Sequence, residues 1–136
     1  MKYSIVIPTY NHCDDLLKPC IDSILKHTDM QDVELIISAN GCKDETRAYA
    51  TYLVNRFEKI GLPNSFKCVW HDEPLGYAKA TNCGILMASG EKIVLLNNDI
   101  ILLDQAKNQW LQMLEAPFLQ DSSVGITGPI IQHSPD

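Results

Sequence analysis

The sequence predicts an α/β fold: a mainly parallel sheet with helices on both faces. Short apolar, β-branched segments alternate along the chain with longer segments whose apolar residues follow helical spacing. The connections that follow the strands are polar and rich in turn-forming residues. With 136 residues, of which 46% are hydrophobic, the chain can form one core. We therefore expect a single domain, residues 1–136.

The first strand–helix pair occupies the N-terminal part of the chain. Tyr3–Thr9 is β-branched and apolar, as a buried strand would be. A helix follows, with apolar residues at helical spacing between Leu16 and Leu25. Asp14 or Asp15 is predicted to be its N-cap, because a carboxylate there accepts hydrogen bonds from the first free N–H groups.

The pattern of strand and helix then repeats twice. Residues 33–38 are predicted as a second strand, and residues 48–60 as a second helix that ends at Gly61. Residues 66–70 form a short third strand, and residues 77–88 the third helix. Sequential strands joined by helices of this length favour parallel pairing.

Three further elements complete the prediction. Residues 92–96 are apolar enough for a strand that is covered on both faces. Asp104 is predicted to cap a helix with inward-facing apolar residues between 106 and 114. Residues 124–131 are predicted as a further strand.

Functional residues are expected at one edge of this sheet, because ligands of open parallel sheets bind beyond the carboxyl ends of the strands. Those ends fall at residues 8–11, 38–41 and 97–99. The first has no glycine, which excludes the G-x-G-x-x-G dinucleotide fingerprint. The chain also contains neither a G-x-x-x-x-G-K-[ST] phosphate loop nor a G-x-S-x-G nucleophile elbow.

Charge and cysteine content exclude several other classes of protein. A net charge of −6 provides no basic surface for nucleic acid or an anionic membrane. No apolar run approaches the roughly 18 residues of a membrane helix, and we expect no membrane segment or secretory leader. The five cysteines are odd in number and form no C-x-x-C pair. This favours free thiols, without a disulfide or a metal, in a reducing, cytoplasmic compartment.

One carboxylate, Asp99, follows the fourth predicted strand and two amides, Asn97 and Asn98. Asn and Asp residues are favoured in turns, so a turn without a ligand is one interpretation of this segment. The alternative is a divalent cation site. Mg²⁺ or Mn²⁺ is often held by only one or two protein carboxylates, with substrate phosphates and water as the remaining ligands.

Five segments, spread over essentially the whole chain, carry a recognisable pattern. They are YSIVIPTYN (3–11), ELIISANGCKDET (34–46), LGYAKATNCG (75–84), LLNND (95–99) and VGITGP (124–129). In this order and spacing they resemble the family 2 glycosyltransferases. The resemblance implies the Rossmann-like GT-A fold, with residues 1–136 as the donor-binding half of a longer enzyme.

The resemblance also implies the reaction and the residues that support it. The expected activity is transfer of a hexosyl-type sugar, with inversion, from a nucleoside diphosphate sugar such as a UDP-sugar to an unidentified glycan, lipid or protein acceptor. Asp99 would hold Mn²⁺ or Mg²⁺ between the two phosphates. The residues expected to bind the nucleotide sugar are Pro8, Thr9, Tyr10, Asn11, Asn40, Lys79, Asn82, Asn97 and Asn98.

The chain departs from the family pattern in base recognition. Ala39 stands where many members carry an aspartate. A uracil N3–H needs an acceptor, and we expect the side-chain oxygen of Asn40 to supply one, as a neutral and weaker partner than a carboxylate.

A second departure concerns the catalytic base. The acids that follow Asp99 are Asp104, Glu115, Asp121 and Asp136, and none is expected to be the base. The base and the acceptor site are expected beyond residue 136, so the piece alone is expected to be inactive. The alternative interpretation is a degenerate GT-A-like module that binds a nucleotide or a partner without transfer.

Overall fold

The computed structural model describes residues 1–129. Within them, four strands form one parallel sheet in the order β3-β2-β1-β4. The strands are β1 (Tyr3–Thr9), β2 (Val33–Asn40), β3 (Phe66–His71) and β4 (Lys92–Leu95). The chain runs outward from β1 to β3 and then returns to the other side of β1. The point where the strand order reverses therefore lies between β1 and β4.

The helices cover both faces of the sheet, as predicted. They are α1 (Lys18–His27), which a π-helical turn at Cys13–Leu17 precedes, α2 (Thr46–Lys59), α3 (Tyr77–Leu86) and α4 (Gln109–Gln120). The main core lies on the face of α1, α2 and α4, where Ile5 and Leu35 pack with Ile24, Phe57 and Leu111. None of the described helices is long and apolar enough to cross a membrane.

The opposite face belongs to α3, which lies very close to β1 and β2. The hydroxyl of Ser38 donates to the carbonyl of Ala80 at 2.7 Å. A Cβ atom on Gly84 would stand only 2.5 Å from Val6 Cγ1. Glycine and alanine on the inner side of α3 therefore set the distance between this helix and the sheet.

A buried carboxylate, Glu34, joins three strands beneath α3. It accepts hydrogen bonds from the Ser4 hydroxyl at 2.6 Å and the Ser89 hydroxyl at 2.9 Å, and Lys67 Nζ lies 2.6 Å from its second oxygen. Burial by itself would raise the pKa of Glu34, but the contacts with Lys67, Ser4 and Ser89 outweigh it and lower the pKa to about 2. Glu34 is therefore a paired structural anion.

The predicted cap of the first helix is wrong. Asp14 and Asp15 are exposed, and Asp15 contacts His12 at 2.9 Å. The backbone N–H of Cys13 donates instead to the carboxylate of Asp44 at 2.8 Å. The acid that caps this turn thus comes from the β2–α2 connection, because the chain enters α1 through the π-helical turn rather than directly.

β4 is an edge strand and is covered on one face only, contrary to the prediction. Ile93 and Leu95 are 44% and 51% exposed, whereas Val94 packs against the main core. The physical reason is that α3 covers β1 and β2 and leaves the same face of β4 open.

The predicted cap of the fourth helix is also wrong, since α4 begins five residues after Asp104, at Gln109. Asp104 forms an ion pair with Lys26 on α1. Residues 124–129 form no strand. The Thr127 hydroxyl donates to the Leu114 carbonyl, which turns this segment toward α4. The last two residues of the predicted strand, 130 and 131, lie outside the described residues.

Candidate functional site

A cleft of about 600 Å³ opens at the carboxyl edge of the sheet. Its walls include residues 8–10 at the end of β1, Asn40 at the end of β2, Tyr77 at the start of α3 and residues 97–99 after β4. It therefore lies at the point where the strand order reverses, the position at which open α/β sheets bind ligands.

Thr9 and Asn98 join the two strands on either side of this point. The amide of Asn98 donates to the Thr9 hydroxyl at 3.0 Å, and Thr9 is only 2% exposed. Next to Thr9, the ring of Tyr10 is 52% exposed and lines the cleft. The arrangement fixes the residues before Asp99 and leaves an aromatic surface beside them.

The loop after β1 passes through two left-handed residues, Asn11 and His12, with φ of 53° and 57°. The side-chain oxygen of Asn11 accepts the Lys43 N–H at 2.8 Å, and its own N–H points to Cys42 Sγ at 3.4 Å. Asparagine tolerates this conformation and its side chain stabilises it here. Asn11 thus supports the loop and does not line the cleft.

Asn40 lines the cleft, but its oxygen is already engaged. It accepts the backbone N–H of Leu75 at 2.6 Å. Gly41, with φ of 74°, follows, and a Cβ there would lie 2.5 Å from Pro74 N. The hydrogen bond uses one of the two lone pairs of the oxygen expected to accept a uracil N3–H, and through it Asn40 holds the loop before α3.

The segment 97–99 carries the acid of the site. The Tyr77 hydroxyl donates to the side-chain oxygen of Asn97 at 3.3 Å, so the start of α3 contacts the end of β4. Asp99 is exposed and is the one acidic residue among the described residues that line the cleft.

The donor atoms at this place suit Mg²⁺ or Mn²⁺, which prefer oxygen ligands and keep several waters or phosphates. Within residues 1–129, no group of three or more His, Cys, Asp or Glu side chains is arranged to hold a metal ion. A cation at Asp99 would therefore take most of its ligands from water or from the phosphates of a bound molecule.

Six of the nine residues expected to bind a nucleotide sugar line the cleft, and Asn11, Lys79 and Asn82 do not. Lys79 and Asn82 are exposed on α3, whose inner side is formed by Ala80, Thr81 and Gly84.

Five lining residues were not among those expected to bind the nucleotide sugar or the metal. These are His12, Leu16, Pro74, Gly76 and Tyr77. A signal for Tyr77 was available, because a residue that begins a helix after a parallel strand lies at the ligand-binding edge of the sheet. No comparable signal marked Leu16, which reaches the cleft only through the π-helical turn.

The later acids that the structure describes do not line the cleft. Glu115 is buried and accepts a hydrogen bond from the Tyr3 hydroxyl. That bond and the contacts with Lys2 and Lys92 lower the pKa of Glu115 to about 2. Asp121 accepts a hydrogen bond from Ser123, and Asp136 lies outside the described residues.

Comparison with known proteins decides the family. The family model described as glycosyl transferase family 2 matches residues 4–136. The chain belongs to this family. Its parallel sheet with helices is that of GT-A glycosyltransferases, as predicted.

Two curated proteins are similar in sequence to this glycosyl transferase family 2 chain. The O-antigen biosynthesis protein RfbC of Myxococcus xanthus is 33% identical over 128 residues, which are 93% of this chain and 9% of the relative. The GalNAc(5)-diNAcBac-PP-undecaprenol beta-1,3-glucosyltransferase of Campylobacter jejuni is 31% identical over 113 residues, 82% of this chain and 34% of the relative. The chain thus spans about a third or less of the length of these relatives.

Solved structures agree on the fold. S. aureus TarS 1–349 in complex with UDP-GlcNAc superposes with a TM-score of 0.69 at 20% identity, covering 98% of this chain and 38% of TarS 1–349. The mannosyltransferase PcManGT of Pyrobaculum calidifontis, in complex with GDP-Man and Mn²⁺, gives a TM-score of 0.69 at 22% identity and covers 91% of this chain and 34% of that protein.

Proposed function

We propose that this chain is the donor-binding part of an inverting, metal-dependent hexosyltransferase that uses a nucleoside diphosphate sugar, a UDP-sugar in the first instance. One observation carries the proposal. In a glycosyl transferase family 2 chain, Asn98 and Thr9 join residues 97–99 to the end of β1 beside an exposed carboxylate, Asp99, at the ligand-binding edge of the sheet. The complexes of the structural neighbours with UDP-GlcNAc and with GDP-Man and Mn²⁺ support it.

Different residues would bind different parts of the nucleotide sugar. Asp99 would hold Mn²⁺ or Mg²⁺, which supplies neutralising charge to a departing diphosphate when bound. Asn98, fixed by Thr9, holds the backbone before this carboxylate. The exposed ring of Tyr10 offers an apolar surface for a base, and Pro8, which also lines the cleft, is largely buried. The first N–H groups of α3, beginning at Tyr77, favour an anion at the helix N-terminus.

Three further residues contribute to binding of the nucleotide sugar. Lys79 lies in the first turn of α3, where its positive charge favours phosphate near the helix N-terminus. Asn82 lies about one turn further along the same helix. Asn11 acts through the loop that it stabilises with Lys43.

We propose that the catalytic base and the acceptor site lie beyond residue 136. The short span of the chain along its relatives supports this, and so does the absence of a second acid among the described residues that line the cleft. On this proposal the 136-residue piece binds donor but does not transfer sugar.

Five free cysteines, three of them buried, support a reducing, cytoplasmic location.

The test is a calorimetric titration of the chain with UDP, with and without Mn²⁺. We expect Mn²⁺ to tighten binding by about tenfold, equivalent to about 1.4 kcal/mol. Asp99→Ala should abolish this difference, and Asp32→Ala, which removes an exposed acid just before β2, should retain it. Equal affinities with and without Mn²⁺ in the wild-type chain would contradict metal-dependent donor binding.

A second titration separates the donor role from the degenerate module. UDP-sugar and UDP should compete for one site, and Asp99→Ala should weaken both in the presence of Mn²⁺. A chain that binds no nucleoside diphosphate under any condition would favour an interaction module instead.

A further inference from the structure

Helix α1 presents a buried row of polar side chains, Cys20, Ser23 and His27, which we name the polar seam. They are spaced by three and four residues, so they share one face of the helix. Their exposed fractions are 0%, 9% and 4%. Polar side chains buried to this extent need hydrogen-bond partners.

The Ser23 hydroxyl donates to the Cys20 carbonyl within α1 at 2.8 Å. The other partners of the polar seam belong to one segment, residues 96–108, which connects β4 to α4. The hydroxyl of Ser23 accepts the N–H of Leu102 at 3.1 Å. His27 Nδ1 lies 3.0 Å from the carbonyl oxygen of Gln105. The thiol of Cys20 makes a weaker contact with the carbonyl of Asn97, at 3.7 Å. The contacts therefore begin two residues before Asp99 and continue along the segment.

The segment has little regular structure of its own. It contains no strand or helix, and one of its few internal backbone hydrogen bonds is the long one from Ile100 N to Asn97 O, at 3.4 Å. Its far end is held by α1, since Asn108 N donates to His27 O at 2.8 Å. A backbone without ladder hydrogen bonds takes its position from such outside contacts.

His27 makes a directional contact at this end. The carbonyl oxygen of Gln105 can only accept, so Nδ1 of His27 carries the hydrogen. Its other nitrogen, Nε2, lies 3.4 Å from the carboxylate of Asp104, which also pairs with Lys26. Both ring nitrogens thus face the segment 96–108.

We infer that the polar seam positions the carboxylate of Asp99, with Ser23 and His27 as positioning residues. The sequence places Asp99 at the end of β4, but regular pairing of β4 with β1 ends at Leu95. Beyond it, α1 supplies buried contacts on both sides of Asp99 in the chain, at Asn97 and Leu102. This inference rests on the proposed donor-binding function for the role of Asp99, but the holding of the segment by α1 can be measured without any ligand.

The ligand-free test is amide hydrogen exchange of residues 96–108 in Ser23→Ala. Removing the acceptor of Leu102 N–H should accelerate exchange of this segment by about threefold to tenfold, the effect of one lost hydrogen bond. The matched control is Ser65→Ala. Ser65 is 1% exposed and its hydroxyl donates to the Met30 carbonyl, far from the segment in sequence. It should leave exchange of residues 96–108 unchanged.

The ligand test uses UDP with and without Mn²⁺. Ser23→Ala should reduce the Mn²⁺-dependent gain in affinity by about threefold or more and leave metal-free UDP binding unchanged. Ser65→Ala should change neither quantity. A pair of variants at the other end of the polar seam repeats the comparison: His27→Leu removes the donor to Gln105, whereas His27→Gln retains one and should behave more like the wild type.

The two proposals fail in different ways. Absence of any Mn²⁺ effect in the wild-type chain contradicts the proposed function. Unchanged exchange of residues 96–108 in both Ser23→Ala and His27→Leu overturns the polar seam as a support. Faster exchange with an unchanged Mn²⁺ effect overturns its role in positioning Asp99.

Discussion

The side-chain oxygen of Asn40 accepts the backbone N–H of Leu75 at 2.6 Å, which ties the end of β2 to the loop before α3. That loop carries Pro74 and Gly76, both of which line the cleft. An amide at the carboxyl end of a strand thus shapes the wall of the site through a residue 35 positions away in the chain.

We predict that Asn40→Ala weakens UDP binding and lowers the free energy of unfolding by about 1 kcal/mol, because Leu75 N–H loses its acceptor. Asn40→Asp retains an oxygen at the same place and should remain close to the wild type in both respects. Calorimetry and urea denaturation of the three proteins provide the measurements. Wild-type UDP affinity in Asn40→Ala would show that this hydrogen bond does not shape the cleft.

A pair of glycines separates backbone strain from steric contact. Gly41 and Gly61 have φ of 74° and 77°, and only a Cβ on Gly41 would meet another atom within 4 Å, namely the backbone of Pro74 at 2.5 Å. Gly61→Ala should lower the free energy of unfolding by about 1–2 kcal/mol through the left-handed conformation alone. Gly41→Ala should lower it by a further 1–3 kcal/mol or so and weaken UDP binding, because Pro74 must move. Equal unfolding free energies for the two variants would contradict this prediction.

Thr9 offers a test of the link between β1 and the segment 97–99. Thr9→Val removes the hydroxyl that accepts from Asn98, so we expect UDP affinity in Mn²⁺ to fall by about threefold to tenfold. Thr28→Val is the matched control, because Thr28 is also 2% exposed and its hydroxyl accepts the indole N–H of Trp110. It should reduce stability by a similar amount and leave the nucleotide affinity unchanged.

The ion pair between buried Glu34 and partly exposed Lys67 predicts how stability depends on pH. The pKa of Glu34 is about 2 in the folded chain, below its ordinary value of 4.5, so folding is favoured by its ionised form. Its contribution is complete above about pH 5 and is lost as the pH falls toward 2.

Glu34→Gln should therefore lower the free energy of unfolding by about 1–3 kcal/mol at pH 7 and reduce its fall between pH 5 and 2. Glu115 titrates in the same direction, so the difference between variant and wild type in urea denaturation isolates Glu34. Glu91→Gln, at an exposed position, is the control. Parallel pH profiles for Glu34→Gln and wild type would refute the assignment.

The sequence was sufficient for the order and type of most elements. Tyr3–Thr9 is predicted with the boundaries that the structure has, and strands β2 and β3 extend only one or two residues beyond their predicted ends. These elements follow local rules of hydrophobic period and turn residues, which one sequence contains. The same rules predict residues 8–11 and 97–99 at one edge of the sheet, and all of these except Asn11 line the cleft there.

The incorrect predictions, of the helix caps and of the coverage of β4, depend on contacts between distant parts of the chain. Asp44 caps the turn at Cys13 from 31 positions away, and Asp104 pairs with Lys26 on α1 instead of capping α4. The apolar pattern of β4 is that of a covered strand, yet whether Ile93 meets a helix depends on where α3 lies. No local pattern specifies such partners.

The turn through Asn11 and His12 contacts the loop that follows β2. Lys43 and Cys42 contact Asn11, and Asp44 holds the next turn. If the loop after β1 were replaced by that of a relative, the loop after β2 would therefore have to be replaced with it. The two loops form one structural unit, and exchanging one alone would remove contacts that support the left-handed residues Asn11 and His12.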